Sequence, residues 1–212
     1  MALPWALAVL SLLPLLNAQS SSCVNVPVPI TNASMDQISG KWFFVAWAYR
    51  NPEYKQWASS YQSAFFYIDS NHTEDTVLIR EYSTINDQCL YNSTHLNIQK
   101  ENGTLSRYYM GREHFAYLIL TKDPSIFMFA FYPEDKENIS LSFFANKTEV
   151  TQEQRRQFHE HVICMGMDKS EIVYVDEKQC HSNCSKSRTA MPVFAATEND
   201  LCNDLSTFLY LC

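Results

Sequence analysis

Between residues 42 and 145 the chain alternates short aromatic and aliphatic runs with polar segments. Eight runs carry the pattern of β-strands: 42–49, 61–69, 76–83, 88–98, 104–110, 114–121, 126–132 and 139–145. Separators such as DSNHTED (69–75), KENGT (100–104) and TKDPS (121–125) supply the Asn, Asp, Gly, Pro and Ser that turns require. A spacing of about a dozen residues suits an antiparallel up-and-down meander, and closing it into a barrel removes the two edges of an open sheet. After residue 145 the period changes. In TQEQRRQFHEHVICMGM (151–167), Thr151 and Gln154 have the form of a capping box, and Phe158, His161, Val162 and Met165 form one apolar stripe. The pattern predicts a single amphipathic helix packed outside the sheet. A last β run is expected at 171–175, beyond 178 the pattern dissolves, and no internal repeat occurs.

The apolar run of residues 1–18, ending Leu16-Asn17-Ala18, reads as a signal peptide cleaved after Ala18, with no second long apolar span to anchor the chain. The expected organisation is a signal peptide at 1–18, one β domain at 19–180, and a cysteine-containing tail at 181–212 that is either stapled or disordered. Sequons occur at Asn32, Asn71, Asn92, Asn102, Asn138 and Asn146; a further one, at Asn183, is doubtful because Cys184 is its middle residue. Used sites must face solvent, which places Asn71, Asn92 and Asn102 at strand ends or loops. The chain has seven cysteines, an odd number, so at least one is free or joined to another molecule. Cys180-His181-x-x-Cys184 lacks the second pair that a zinc site needs, and no metal or cofactor is expected. A net charge of −7 argues against nucleic acid or an anionic membrane as main partner.

Gly40-Lys41-Trp42 at the entry to the first of eight strands, with one helix after the last, resembles the lipocalin family. The resemblance extends to one plasma-borne branch through PVPITNASMDQISGKWFFVAWAYRN, NHTEDTVLIREYSTINDQCLYNSTHLNIQKENGTLSRY and DKSEIVYVD, and runs to about Cys180. It implies an all-β, eight-stranded barrel with one C-terminal helix outside, and a Trp42 that plugs the closed end beneath a basic side chain. It also implies disulfides Cys23–Cys164 and Cys89–Cys180. The first would close a loop of roughly 140 residues, worth on the order of 4 to 5 kcal/mol by the chain-entropy argument. The cavity positions it implies are Tyr54, Glu81, Arg107, Phe129, Phe131, Ser142 and Phe144.

In TVLIREYST, Val77, Ile79 and Glu81 share one face and Leu78, Arg80 and Tyr82 the other; alternation alone does not say which lines a cavity. With Glu81 inward, Arg107 is the available cation to offset its desolvation, and a protonated amine could meet Glu81 while its apolar body contacts Phe129, Phe131 and Phe144. A surface Glu81–Arg107 pair above a plain aromatic core would satisfy the same alternation. The chain departs from that branch in three places. Phe144 replaces a tyrosine, the tail carries three extra cysteines, and YKQWASS (54–60) lacks a sequon and adds Trp57.

The expected function is that of a secreted, monomeric carrier of small lipophilic, often basic, ligands without stable membrane insertion. The resemblance adds an acute-phase, immune-modulating role. The competing classes are a lipocalin-type isomerase and an interaction protein acting on receptors or lectins through its glycans. The first would need a cysteine nucleophile inside the barrel, where only Cys89 lies in the β region. Gly-x-Ser-x-Gly, His-Glu-x-x-His and phosphate-loop motifs do not occur, and His159 and His161, two apart on the helix, diverge around its axis.

Overall fold

The computed structural model describes residues 28–58, 60–109, 111–133 and 136–175, and the backbone of 191–192. The signal-peptide reading, Cys23, Cys180 and Asn183 lie outside these residues.

All eight expected strands form: β1 (Gly40–Tyr49), β2 (Tyr61–Asn71), β3 (Thr76–Ile85), β4 (Gln88–Gln99), β5 (Thr104–Tyr109), β6 (Arg112–Leu120), β7 (Ile126–Phe131) and β8 (Ser140–Ala145). Each pairs antiparallel with the next, and β8 returns to β1, which closes the ring. A register shift in β1 between Phe44 and Ala46 divides that strand. Its first half pairs with β2, and Ala46, Trp47 and Ala48 pair with a short β9 (Ile172–Tyr174). In the tail, β10 (Met191–Pro192) pairs parallel with Leu90 and Tyr91 of β4.

Among the described residues three α-helices accompany the barrel: α1 (Asn32–Ile38), α2 (Pro52–Ala58) and α3 (Gln152–Cys164). The first two add to the single helix read from periodicity; each has seven residues, too few to display a stripe. α3 starts as its sequence indicates. The Thr151 hydroxyl accepts from the Gln154 N–H, and the Gln154 side chain accepts from the Thr151 N–H. Phe158, Val162 and Met165 of its stripe are buried, whereas His161 is half-exposed.

α1 covers the end of the barrel where β1 begins. Met35 and Ile38 are buried there, and the Trp42 indole N–H donates to the Ile38 carbonyl at 2.7 Å. The Trp42 ring meets Phe127 edge-on, centroids 4.7 Å apart. Trp42 thus packs at the end covered by α1, and the neighbouring Lys41 lies over Phe43 and Phe65. The odd-numbered Lys41 projects outward while Trp42 projects inward. Gly40 precedes them at φ +108°, a backbone conformation that L side chains rarely adopt, although open space surrounds its Cα. Gly103 has both constraints, φ +68° and a position where a Cβ would sit 2.4 Å from the Val28 carbonyl oxygen.

Two apolar clusters result. One fills the barrel, with Trp42, Phe44, Trp47, Phe66, Val77, Leu96, Leu105, Leu118, Phe127 and Phe144 among its members. The other lies outside it, where Val45, Met128, Leu141 and Phe143 meet Phe158 and Val162 of α3.

Candidate functional site

The chain direction sets a closed and an open end. The turns after β2, β4 and β6 lie with α1; those after β3 and β5, the β7–β8 loop and α2 lie at the opposite, open end. Inward-facing residues can therefore be ordered by height. On β3 the inward row is Val77, Ile79, Glu81 and Ser83, all buried, while Arg80 points outward and ion-pairs with Asp69. This settles the face that alternation left open.

Glu81 is 5% exposed and sits beneath the open end. The Tyr61 hydroxyl donates to its Oε1, and Ser83 hydrogen-bonds the same carboxylate. Desolvation outweighs both bonds and pushes the carboxyl up to about 7. Burial and the neighbouring carboxylate push the Tyr61 hydroxyl upward as well. The Tyr61 ring is held by Phe44 and Trp47, with centroids 6.0 and 5.2 Å away.

Arg107 is half-buried on β5, opposite His114 of β6, and shares the inward face of that strand with the interior Leu105. Its Nε and Nη2 atoms are buried. The Glu81 charge is moderated by the Tyr61 and Ser83 hydroxyls.

Phe129 and Phe131 face inward on the upper part of β7 and retain 8% and 9% exposure, in contrast to Phe127 below them at 0%. Ser142 of β8 lies opposite both Phe129 and Trp47. Tyr54, on α2 at the open end, packs against Tyr49 with centroids 5.3 Å apart. Phe144 lies one layer lower, stacked on Phe127 at 4.8 Å and in contact with Phe44 and Phe66. The inward rows thus carry Glu81 on β3, Arg107 on β5, Phe129 and Phe131 on β7 and Ser142 on β8, with Tyr54 on α2 at the same end, and Phe144 also meets Phe129, centroids 5.6 Å apart. Tyr61, Ser83 and Trp47 were missed. Their alternation was visible, but only β-pairing brings Tyr61 over Glu81.

Cys89 and Cys164 are disulfide-bonded, and the partners the resemblance implies lie outside the described residues. Asn32, Asn71, Asn102 and Asn146 are exposed and Asn138 half-exposed, its side-chain carbonyl accepting from Asn51. Asn71 ends β2 and Asn102 lies in a turn, as expected. Asn92 does not: it lies inside β4, half-buried, directly opposite Glu81. The polar run NST there continues a strand because its register is fixed by β3. On the helix, His159 Nε2 is 2.6 Å from the Tyr174 hydroxyl and His161 Nδ1 is 2.8 Å from the Gln157 carbonyl, so the two rings serve separate bonds. No helix of the described residues is long and apolar enough to cross a membrane.

Residues 39–179 match the lipocalin / cytosolic fatty-acid binding protein family. The chain is 51% identical over 181 residues to alpha-1-acid glycoprotein of Bos taurus, covering 84% of this chain and 90% of that one. It is 50% identical over 177 residues to that of Oryctolagus cuniculus, covering 83% and 88%. With alpha-1-acid glycoprotein 1 of Mus musculus it shares 46% over 181 residues, covering 84% and 87%. Among solved structures, one described as the siderocalin Ex-FABP, functioning through dual ligand specificities, superposes with a TM-score of 0.57 at 13% identity, covering 68% of this chain and 97% of that one. That likeness is one of fold.

Proposed function

The chain belongs to the lipocalin / cytosolic fatty-acid binding protein family, and from that premise we propose that it is a secreted carrier of small lipophilic, often basic, molecules held in the open half of its barrel. The observation that carries this reading is a buried carboxyl, Glu81, set below aromatic walls that keep some accessibility. An apolar body fits against Phe129, Phe131 and Trp47, and an ammonium group reaches Glu81, replacing the solvation that burial removed. Ser142 and the Tyr61 hydroxyl orient polar atoms of the ligand. Arg107, on the inward face of β5, offers a cation to an acceptor group of the ligand. No catalytic step enters this reading: Glu81 and Tyr61 bond each other, and Cys89, the one cysteine of the β region, is held in a disulfide. Carriage outside the cell is supported by the resemblance to plasma glycoproteins, the two disulfide-bonded cysteines and the exposed sequons.

Titration of the purified protein with a fluorescent hydrophobic amine, followed by tryptophan quenching, tests the reading. One saturable site is expected, weakened about tenfold or more by Glu81→Gln for the amine and unchanged for a neutral steroid. Equal loss for both ligands would remove the ion pair, and no saturable binding by folded protein would move the function to the glycan-bearing surface.

A further inference from the structure

The face of α3 that points away from the barrel carries chemistry that carriage does not use. Gln152, Arg155, Arg156, His159, Glu160 and Ile163 recur three and four residues apart, so they share one side of the helix, opposite the buried Phe158 and Val162. Beyond the helix, Gly166 at φ +76° turns the chain back, which brings Lys169 and then Tyr174 of β9 beside α3. Lys169 and the six helix residues line a shallow cleft of about 420 Å³. Small-molecule sites commonly occupy about 300 to 1,000 Å³.

The charges of the cleft sort into two groups. Arg156 is held by Glu153 and Glu160, one on either side of it along the helix, and that trio satisfies itself. Among the described residues Arg155 and Lys169 join no ion pair. Arg155 lies over the Tyr174 ring at 5.0 Å, and the Tyr174 hydroxyl is 2.6 Å from His159 Nε2. Partial burial, Lys169 and Arg155 together hold the His159 imidazole below the ordinary histidine range. Two cations without acids thus converge on His159 and Tyr174. Ile163, 55% exposed, adds an apolar surface to the same cleft.

We infer that this cleft is a second ligand site, outside the barrel, for a sulfate or phosphate monoester of a small apolar body. The oxyanion lies between Arg155 and Lys169 and accepts hydrogen bonds from both. The organic part rests on Ile163 and withdraws its surface from water. A compact anion suits the cleft better than a polyanion. A row of negative charges laid along α3 would meet Glu153 and Glu160, on a chain whose net charge is −7. The charged and titratable groups around His159 are Arg155, Arg156 and Glu160 on its own helix and Lys169 and Tyr174 on the segment beside it. A bound anion offsets the two cations that oppose protonation of His159, and protonated His159 adds a third cation. Binding therefore strengthens as pH falls.

Calorimetric titration of the full chain with naphthyl sulfate and naphthyl phosphate, each with and without a saturating hydrophobic amine, tests the site. One saturable site that the amine does not displace is expected, and the tighter ester identifies which oxyanion it takes. Arg155→Gln and Lys169→Gln should each weaken that site by about fivefold. Ile163→Ser should weaken both naphthyl esters and leave inorganic sulfate unchanged. Arg156→Gln removes a cation already held by two acids and should not weaken binding. The sulfate ester keeps its charge across the range, so its affinity should rise from about pH 7.5 to about pH 5.5, and His159→Gln should flatten that rise. No saturable binding, displacement by the amine, an equal loss in Arg156→Gln, or full affinity in both Arg155→Gln and Lys169→Gln would overturn the inference and leave carriage intact. Failure of the amine itself to bind would remove the carriage reading and leave this site standing.

Discussion

The two faces of the β7–β8 wall are made from neighbouring residues of the same strands, and they end in different environments. Outward, Ile126, Met128, Ala130, Leu141 and Phe143 have no exposure at all and are capped by α3. Inward, exposure climbs along β7 from Phe127 through Phe129 to Phe131, and the opposing strand supplies Ser140 and Ser142. Every position in IFMFAF and SLSFFA is buried, so burial does not separate the two faces. Hydroxyl content and the gradient of accessibility do. The outer face is an interface between elements that needs only volume and shape. The inner face keeps polar atoms and small residual openings, which a purely structural layer would have no reason to retain.

The largest break in that comparison comes from the outer face. Phe158 is fully buried and stacks on Phe143 with centroids 5.0 Å apart. Phe158→Ala should lower unfolding free energy by about 3 to 5 kcal/mol, the usual range for deleting a core aromatic ring. Because its cavity opens outside the sheet, ligand affinity per folded molecule should be unchanged. Urea denaturation together with titration of the folded fraction checks both parts, and a lost affinity at full folding would show that the two faces are mechanically joined.

The strands were legible because each obeys alternation and each turn carries its own chemistry, so boundaries between 42 and 145 moved by only a few residues. α3 was legible from Thr151, Gln154 and the spacing of Phe158, Val162 and Met165. α1 and α2 were not, since their short runs are fixed by tertiary contacts of Met35 and Ile38, or by a place at the barrel end, rather than by a repeating stripe. Within the site, the choice of inner face on β3 needed closure of the ring. The Tyr61 and Ser83 hydroxyls on Glu81 were not legible, because closure of the sheet, not sequence spacing, brings Tyr61 to the carboxylate. At Asn92 two readings conflicted: alternation ran a strand through 88–98, the glycosylation motif argued for a strand end or loop, and pairing with β3 bears out the strand.

Proton linkage distinguishes the faces next, since Glu81 and Tyr61 belong to the inner one. The carboxyl titrates at about 7 when folded against an ordinary 4.5, so the folded state binds the proton more tightly than the unfolded state. Its contribution to stability is therefore complete below pH 4.5 and is lost as pH rises to about 7. The loss is on the order of 3 kcal/mol at most, and Glu81→Gln should flatten that part of the stability profile. Amine binding should run the other way. A cation needs the ionised carboxylate, so affinity should weaken by about tenfold per pH unit below the carboxyl's titration, while a neutral steroid stays flat. Parallel titrations across pH 5 to about 8 measure this, and identical profiles for the two ligands would place the amine away from Glu81.

The smallest effect tests the gradient itself. Phe129 shares its strand with the sealed Met128 but faces inward, next to Ser142, and keeps a little accessibility. Phe129→Ala removes apolar contact from any ligand that reaches this layer, whatever its charge, and should weaken amine and steroid alike by about 1 to 2 kcal/mol. Its stability cost should be smaller than that of Phe158→Ala, since the vacated volume opens toward the barrel mouth and water can enter it, whereas the space left by Phe158 stays closed and empty. Calorimetric titration of both ligands beside a denaturation curve decides the matter. Unchanged affinity with a full core-sized loss of stability would make Phe129 part of a sealed layer, and would lower the floor of the site to residues nearer the rim.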